Sequence, residues 1–163
     1  MGGEVITDNV TTDPASWRSR LLESAASLTR VLERVRRVAV IGIKPEMVGG
    51  PAYYVPEMMQ AAGYEIIPVP VYYPEISQIL GEPVHRSLRT VEGPIDMVQI
   101  FRRPNDVPRH LDEILAAKPS VVWMQLGIRN AEVAETLAKN GIDVVQDRCV
   151  KIELDRMRHA HRG

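Results

Sequence analysis

The chain has a single cysteine among its 163 residues. That excludes an internal disulfide or a thiolate zinc cluster and fits a reducing, cytoplasmic setting. It has almost no net charge, since 20 Lys+Arg against 21 Asp+Glu leave −1. The basic excess that marks a nucleic-acid-binding domain is missing, so no nucleic-acid partner is expected. No apolar stretch approaches the ~18 residues of a membrane span, so no membrane partner is expected either. Residues 1–14 carry acidic groups early and lack the apolar core of a secretory signal. Met1-Gly2 would suit N-myristoylation, but Ile6 stands where that motif needs Ser or Thr. Internal repeats and low-complexity segments are absent. What is present is ordinary: 45% hydrophobic and 25% charged residues describe a soluble globular chain. Its length suits one domain, at ~100–200 residues per domain, with room for a sizeable core.

Periodicity supplies the architecture. Asp13-Pro14 reads as N-cap and first helical position, and Trp17, Leu21, Leu22, Ala25, Leu28 and Leu32 then recur at helical spacing, so a helix is expected over 14–36. Residues 38–43 form a continuous apolar run, the pattern of a strand buried on both faces. A loop over 44–50 holds Pro45, Gly49 and Gly50. Helical spacing returns with Val55, Met58, Met59 and Ala62, with Pro56 in the first turn or at a kink. Strands are expected over 64–69, 95–101, 121–126 and 142–145. A long connection over 75–94 follows the second, and helices over Val107 to Leu115 and Ala131 to Ala138 separate the last three. Five strands alternating with helices predict an α/β fold: a single Rossmann-like, doubly wound parallel sheet with an extra N-terminal helix. The expected division is a flexible terminus over 1–13, that helix over 14–36, the sheet domain over 37–153 and a charged tail over 154–163.

In such sheets ligands bind outside the carboxyl ends of the strands, so the residues following each strand carry the interest. The first such loop is Gly-rich and enters a helix, whose free N–H groups suit a phosphate, and Lys44 can add a point charge. It is neither a dinucleotide fingerprint nor a P-loop, because Lys44 stands where G-x-G-x-x-G needs its second Gly and G-x-x-x-x-G-K-[ST] is missing. No acid follows the second strand to hold an adenine ribose; Val69, Pro70 and Val71 stand there. Arg102 and Arg103 follow the third strand. An Arg there suits a phosphate through its planar fork, and adjacent side chains diverge, so one of the two is expected to face a ligand. These cations also argue against a receiver-type phosphorylation site, which needs carboxylates around Mg²⁺. Tyr53, Tyr54, Tyr72 and Tyr73 can stack on a base, although packing under the loop accounts more simply for at least two of them. His85, His110, His159 and His161 are scattered, Cys149 has no identifiable base, and neither a catalytic nor a metal constellation is expected.

Six segments together resemble a known family: Val38-Ala39-Val40-Ile41-Gly42, Pro51-Ala52-Tyr53-Tyr54-Val55-Pro56, Ile79-Leu80-Gly81-Glu82, Phe101-Arg102-Arg103-Pro104, Trp123-Met124-Gln125-Leu126-Gly127-Ile128 and Asp147-Arg148-Cys149. They resemble the small stand-alone CoA-binding proteins, whose domain is similar to the N-terminal CoA-binding domain of the succinyl-CoA synthetase α subunit. The resemblance runs from about residue 38 to 153. It implies a Rossmann-like, nucleotide-binding fold that holds coenzyme A across the strand ends. Carried over by position, Gly42, Ile43 and Lys44 lie in the phosphate loop, with Tyr53 beside it. Val69 and Pro70 line the nucleotide side, Phe101, Arg102 and Arg103 follow strand three, and Gln125 and Gly127 form the fourth wall. The synthetase's phosphorylated-His domain has no counterpart within this length.

The expected function is therefore CoA or acyl-CoA binding, non-catalytic for this chain alone, with a protein partner or a homo-oligomer compatible but unread. Two other readings stand beside it. One is an NAD(P)-dependent oxidoreductase, disfavoured by the missing Gly and acid. The other is an interaction module that has kept the fold and lost the ligand. It draws support from Pro70-Val71, where the family often has Asn-Pro, and from Gly50, where it often has a basic residue.

Overall fold

In the computed structural model, which describes residues 16–160, the apolar runs form one parallel sheet with helices on both faces. In chain order the elements are a 3₁₀ turn at Ser16–Arg20, α1 (Ala25–Arg34), β1 (Arg37–Ile41), α2 (Pro51–Ala61) and β2 (Glu65–Val69). A small hairpin of β3 (Gln78–Ile79) and β4 (Glu82–Pro83), a 3₁₀ turn at Leu88–Thr90 and β5 (Met97–Ile100) follow. A 3₁₀ segment at Pro104–His110 leads into α3 (Leu111–Ala117), β6 (Val121–Met124), α4 (Ala131–Lys139), β7 (Asp143–Val145) and α5 (Val150–Ala160). The sheet order is β2-β1-β5-β6-β7, every pair parallel. The chain thus winds outward from β1 to one edge, then crosses back beside β1 and winds to the other.

A strand covered on both faces must be apolar at every position, because successive side chains point to opposite sides. In β1, Val38 and Val40 meet Leu28 and Val31 of α1, Met59 of α2 and Leu154 of α5 in one core layer. Ala39 and Ile41 join Ile114 of α3 and Val133 and Leu137 of α4 in the other. Trp123 is wholly buried in the first layer, and its indole N–H donates to the Arg148 carbonyl at 2.8 Å.

The expected helix over 14–36 is two pieces, and its proposed start at Asp13-Pro14 lies outside the described residues. Leu21 forms a parallel bridge with Val144, and the Leu22 N–H donates to the Val144 carbonyl at 2.9 Å. Backbone used to extend the exposed β7 edge cannot also close helical bonds, so α1 starts afresh at Ser24. The Ser24 hydroxyl accepts the Ser27 N–H at 3.1 Å, an N-cap. The break divides the apolar stripe between the two core layers, Leu21 packing with α3 and α4 and Leu22, Leu28 and Leu32 with α2 and α5, while Trp17 lies between the cations of Arg18 and Lys139, at 4.5 and 5.7 Å.

Three further differences have local causes. Pro108, inside the expected helix from Val107, leaves that stretch as 3₁₀ until Leu111. The expected tail from residue 154 belongs to α5, which buries Val150 and Leu154, so the packed unit does not end at 153. Pro56 sits in the interior of α2 rather than in its first turn. Its missing N–H leaves the Ala52 carbonyl, four residues back, without a helical donor, and the Lys44 N–H fills the vacancy at 3.2 Å.

β1 stops at Ile41, short of the expected residue 43, because Gly42 turns to φ +83° and passes close to the end of β5. A Cβ there would stand 2.1 Å from the Phe101 carbonyl oxygen. Gly42→Ala is accordingly expected to destabilise the protein by roughly 2–5 kcal/mol in chemical denaturation, from ~1–2 for the left-handed backbone and ~1–3 for the forced contact. An unchanged midpoint would refute the tight junction of β1 with β5.

Candidate functional site at the switch point

The chain reverses its winding between β1 and β5, and in doubly wound sheets the loops leaving two such strands part and open a crevice. Gly42 to Gly50 leave β1 on one side of it, and Phe101 to Arg103 leave β5 on the other. Val69 and Pro70, both buried, close the β2 end.

The β1 loop is built by hydrogen bonds rather than by sequence repetition. The Gly42 N–H continues the ladder to the Val69 carbonyl at 2.9 Å, and those of Val48 and Gly49 turn back onto the Pro45 carbonyl. With the Lys44 N–H held by Ala52, that amide is not available to a ligand. The N–H groups of Gly50 and Ala52, at the start of α2, have no hydrogen-bond partner among the described residues. Gly50, at φ +78°, caps the helix without a side chain, and a Cβ there would meet nothing within 4 Å. The α2 N-terminus is therefore open. The Lys44 side chain is exposed beside it, Ile43 points into the core, and Tyr53 is buried with its hydroxyl donating to Glu57 at 3.0 Å. Burial and that carboxylate push the Tyr53 phenol above its ordinary value. A cleft of about 480 Å³ runs along this side, between Pro45, Met47 and Tyr53 and the hairpin residues Ile76, Ile79 and Leu80.

Across the crevice the two arginines diverge, as adjacent residues leaving a strand must. Arg103 turns outward with 82% of its side chain exposed, and its Nε–H donates to Asp106 at 3.0 Å. Arg102 folds inward with 8% exposed, its Cδ reaching within 3.4 Å of where a Gly42 Cβ would lie. Its Nε–H donates to His110 Nε2 at 3.1 Å, and the Tyr72 ring covers the guanidinium at 5.8 Å. The nearest carboxylate oxygen to its Nη2, on Asp106, is 3.9 Å away, beyond hydrogen-bond reach. The Nη edge thus has no hydrogen bond within the described residues. Nor is it sealed, since the one buried side-chain polar atom without a partner there is Gln99 Oε1. Asp106 faces Arg103, Arg102 and Arg109, and the Arg103 hydrogen bond first, then these charges, hold its carboxyl below the usual range.

The β2 side is pinned by Arg86, whose guanidinium donates to the carbonyls of Tyr72, Tyr73 and Ile76 at 2.8–2.9 Å. That clasp fixes Tyr73 at φ +65° and leaves Tyr72 57% exposed over Arg102. On the far side, Gly127 is exposed, with open space around its Cα. Its N–H donates to Asp147 Oδ1 at 2.6 Å, and Arg129 reaches Asp147 Oδ2 at 3.4 Å. Gln125 is buried and works inward: its Oε1 accepts the Val150 N–H at 3.0 Å, capping α5, and Gln99 Nε2 at 3.3 Å.

Of the residues selected from sequence, Lys44, Arg102 and Gly127 follow the strand ends with surface left open. Gly42, Ile43, Val69, Pro70 and Tyr53 are buried around them, and Phe101 is half-buried. The Gln125 side chain and the Arg103 guanidinium are engaged elsewhere. Tyr72, Arg86, Asp106 and His110 escaped selection. Tyr72 was one of four tyrosines with a stacking role open to it, while the other three are brought in by a 3₁₀ segment and a loop clasp that leave no sequence pattern. Among the described residues no group of three or more His, Cys, Asp or Glu side chains is arranged to hold a metal, and no helix is long and apolar enough to cross a membrane.

Strand order and crevice define a Rossmann-like α/β protein with its candidate ligand cleft at the switch point. Within that class the chain belongs to the family described as the CoA binding domain, whose profile matches residues 36–155. The uncharacterized protein YneT of Bacillus subtilis is 37% identical over 131 residues, 79% of this chain and 93% of that one. A solved Thermus thermophilus protein is 34% identical, with a TM-score of 0.75 over 83% of this chain and 99% of its own. A Pyrococcus horikoshii OT3 protein shares the fold, with a TM-score of 0.76 at 23% identity over 83% of this chain and 93% of its own.

The Asp147 tie carries a pH signature. The Gly127 N–H is the main cause holding its carboxyl below the ordinary range, with Arg129 and Arg148 adding to it. A depressed native value stabilises the fold above the unfolded-state value, ~pH 4, and loses that contribution as pH falls through the lowered native one. Asp147→Asn should therefore be less stable than wild type near neutrality, with the gap closing in acid-unfolding curves as pH falls through the lowered native value. A gap that persists there would assign the loss to packing instead.

Proposed function

We propose that the protein binds coenzyme A or an acyl-CoA across the switch-point crevice and catalyses no reaction by itself. The observation that carries this reading is a pair of anion donors, the open N-terminus of α2 and the half-used guanidinium of Arg102. One follows β1 and the other β5, the two strands between which the winding reverses. A polyphosphate fits donors of this kind: backbone N–H groups at a helix start favour negative charge, and a planar guanidinium offers a two-pronged edge. The Cβ-free margins at Gly50 and Gly127 leave room at both ends of the crevice.

In this reading the Gly50 and Ala52 N–H groups and the Lys44 ammonium hold phosphate oxygens, opposed by the Arg102 Nη edge. Val69 and Pro70 line the nucleotide side, and the exposed Tyr72 ring offers a stacking face for the adenine. Ile43, Tyr53 and Phe101 shape the walls. Gln125 serves by capping α5, and Gly127 by giving a wall without a side chain. Arg103 contributes charge from outside rather than a contact. The bound cofactor supplies a thiol or thioester at the end of its pantetheine arm. The likeness to the synthetase α-subunit domain extends to this binding role alone. NAD(P) fits less well, because the β2 end presents buried Pro70 where a ribose-binding carboxylate is needed.

A thermal-shift series with CoA, 3′-dephospho-CoA and NAD⁺ tests this. A ligand at ~100 times its Kd adds ~2.7 kcal/mol, roughly 5–10 °C for a domain of this size. A shift with CoA and none with NAD⁺ is expected. No shift with any of them would favour the interaction module. In titration calorimetry Arg102→Ala should weaken CoA by roughly 10–100-fold, the worth of a hydrogen bond to a charged group, and Arg103→Ala by less than about threefold. Equal losses for both would remove Arg102 from its special place.

A further inference from the structure

We infer that His110, held as a neutral imidazole, positions Arg102 for the ligand, so that ligand binding and protonation of His110 are antagonistic. This rests on the CoA-binding reading and adds to it a positioning residue and a mode of regulation.

The argument is one of donors and acceptors. A guanidinium only donates, so the Arg102 Nε–H at 3.1 Å requires His110 Nε2 to be the bare, accepting nitrogen. The ring proton must then lie on Nδ1, where it donates to Glu113 Oε1 at 3.0 Å. Glu113 is in turn oriented from the other side, its Oε2 accepting the Ser87 hydroxyl at 2.8 Å and the Leu88 N–H at 3.3 Å. Only 15% of the His110 side chain and 16% of that of Glu113 are exposed, so solvent does not readily replace either bond. The line Ser87–Glu113–His110–Arg102 ties the long connection before β5 to the rim of the crevice. It consumes the one guanidinium nitrogen that points away from the Nη edge.

A second proton on the imidazole changes the sign of the contact. It sets N–H against N–H at a spacing that needs an acceptor, and one cation against another. Two charged groups touch His110, Arg102 across the bond and Glu113 on α3; on its own segment Asp106 pairs with Arg103 and Arg109 and stands 3.9 Å from Arg102 Nη2. A doubly protonated ring keeps its Nδ1–H bond to Glu113 and loses its acceptor for Arg102, so Arg102 is the partner that gives way. Released from His110, its guanidinium can turn toward Asp106, 3.9 Å from Nη2, and away from the crevice. By reciprocity, a ligand that holds Arg102 in place makes His110 harder to protonate.

The test measures affinity at about pH 8 and about pH 5.5, the span over which histidine side chains change charge. The probe is 3′-dephospho-CoA, because the 3′-phosphate of CoA has its own titration near pH 6. Three proteins are compared by calorimetry: wild type, His110→Gln and His110→Ala. Glutamine keeps an acceptor for Arg102 and a donor for Glu113 but does not titrate; alanine removes both. The wild type should lose roughly tenfold or more on acidification, the worth of one charge-assisted hydrogen bond. The glutamine variant should stay within about threefold of wild type at the higher pH and change little at the lower. The alanine variant should be roughly tenfold weaker at both. Parallel losses in wild type and glutamine variant, or an alanine variant that binds like wild type at the higher pH, would overturn the role of His110. If wild type binds CoA but not the dephospho probe, the series is run with CoA and judged on the difference between wild type and glutamine variant. Absence of CoA binding by wild type at the higher pH would instead sink the binding reading, and this inference with it.

Discussion

The close passage of Gly42 beneath the Phe101 carbonyl sets the geometry on which the rest of the molecule depends. Two parallel strands that part company at a switch point must leave room for a ligand above them, yet their ends must still meet to keep solvent out of the core. Only a residue without a Cβ, in a left-handed conformation, allows the β1 backbone to turn aside at that height. The turn sends the loop toward α2 and lets Arg102, one residue past the contact, fold over the junction. Gly42 thus shapes the fold and the candidate site at once.

The walls of the crevice are held by bonds whose donors and acceptors come from distant parts of the chain. Lys44 closes on the carbonyl that Pro56 leaves unused, so a helix defect becomes an anchor for the loop. Arg86 gathers three carbonyls of the segment after β2, Asp147 holds Gly127 from across the sheet, and Gln125 caps α5 from beneath. A site of this kind is largely preformed, which lowers the ordering cost of binding a long, flexible cofactor.

Much of the candidate site was legible in the sequence because doubly wound sheets place ligands at strand ends, and strand ends can be read from apolar runs. The positions of Gly42, Lys44 and Arg102 just after their strands follow from that rule. Gln125 did not behave as its position suggested, since a strand-end side chain can turn down to cap the next helix as readily as up to a ligand. His110 and Asp106 were out of reach: Arg102 leaves a strand rather than standing in a helix, and the segment that returns Asp106 and His110 to it is a 3₁₀ stretch between Pro104 and His110, so no helical period links the three.

By itself the sequence determined the α/β alternation, the five strands of the parallel sheet and its two-sided burial, but not the short β3–β4 hairpin inside the long connection. The features it determined are set by the local period of apolar residues. It could not determine that the N-terminal stripe breaks to pair with β7 and splits its leucines between the two core layers, since the free sheet edge that draws Leu21 and Leu22 to Val144 exists only in the folded sheet. Nor could it choose between Arg102 and Arg103. Tertiary structure made that choice, because the side of a strand end on which a guanidinium finds an acceptor and an aromatic cover depends on what other segments bring there.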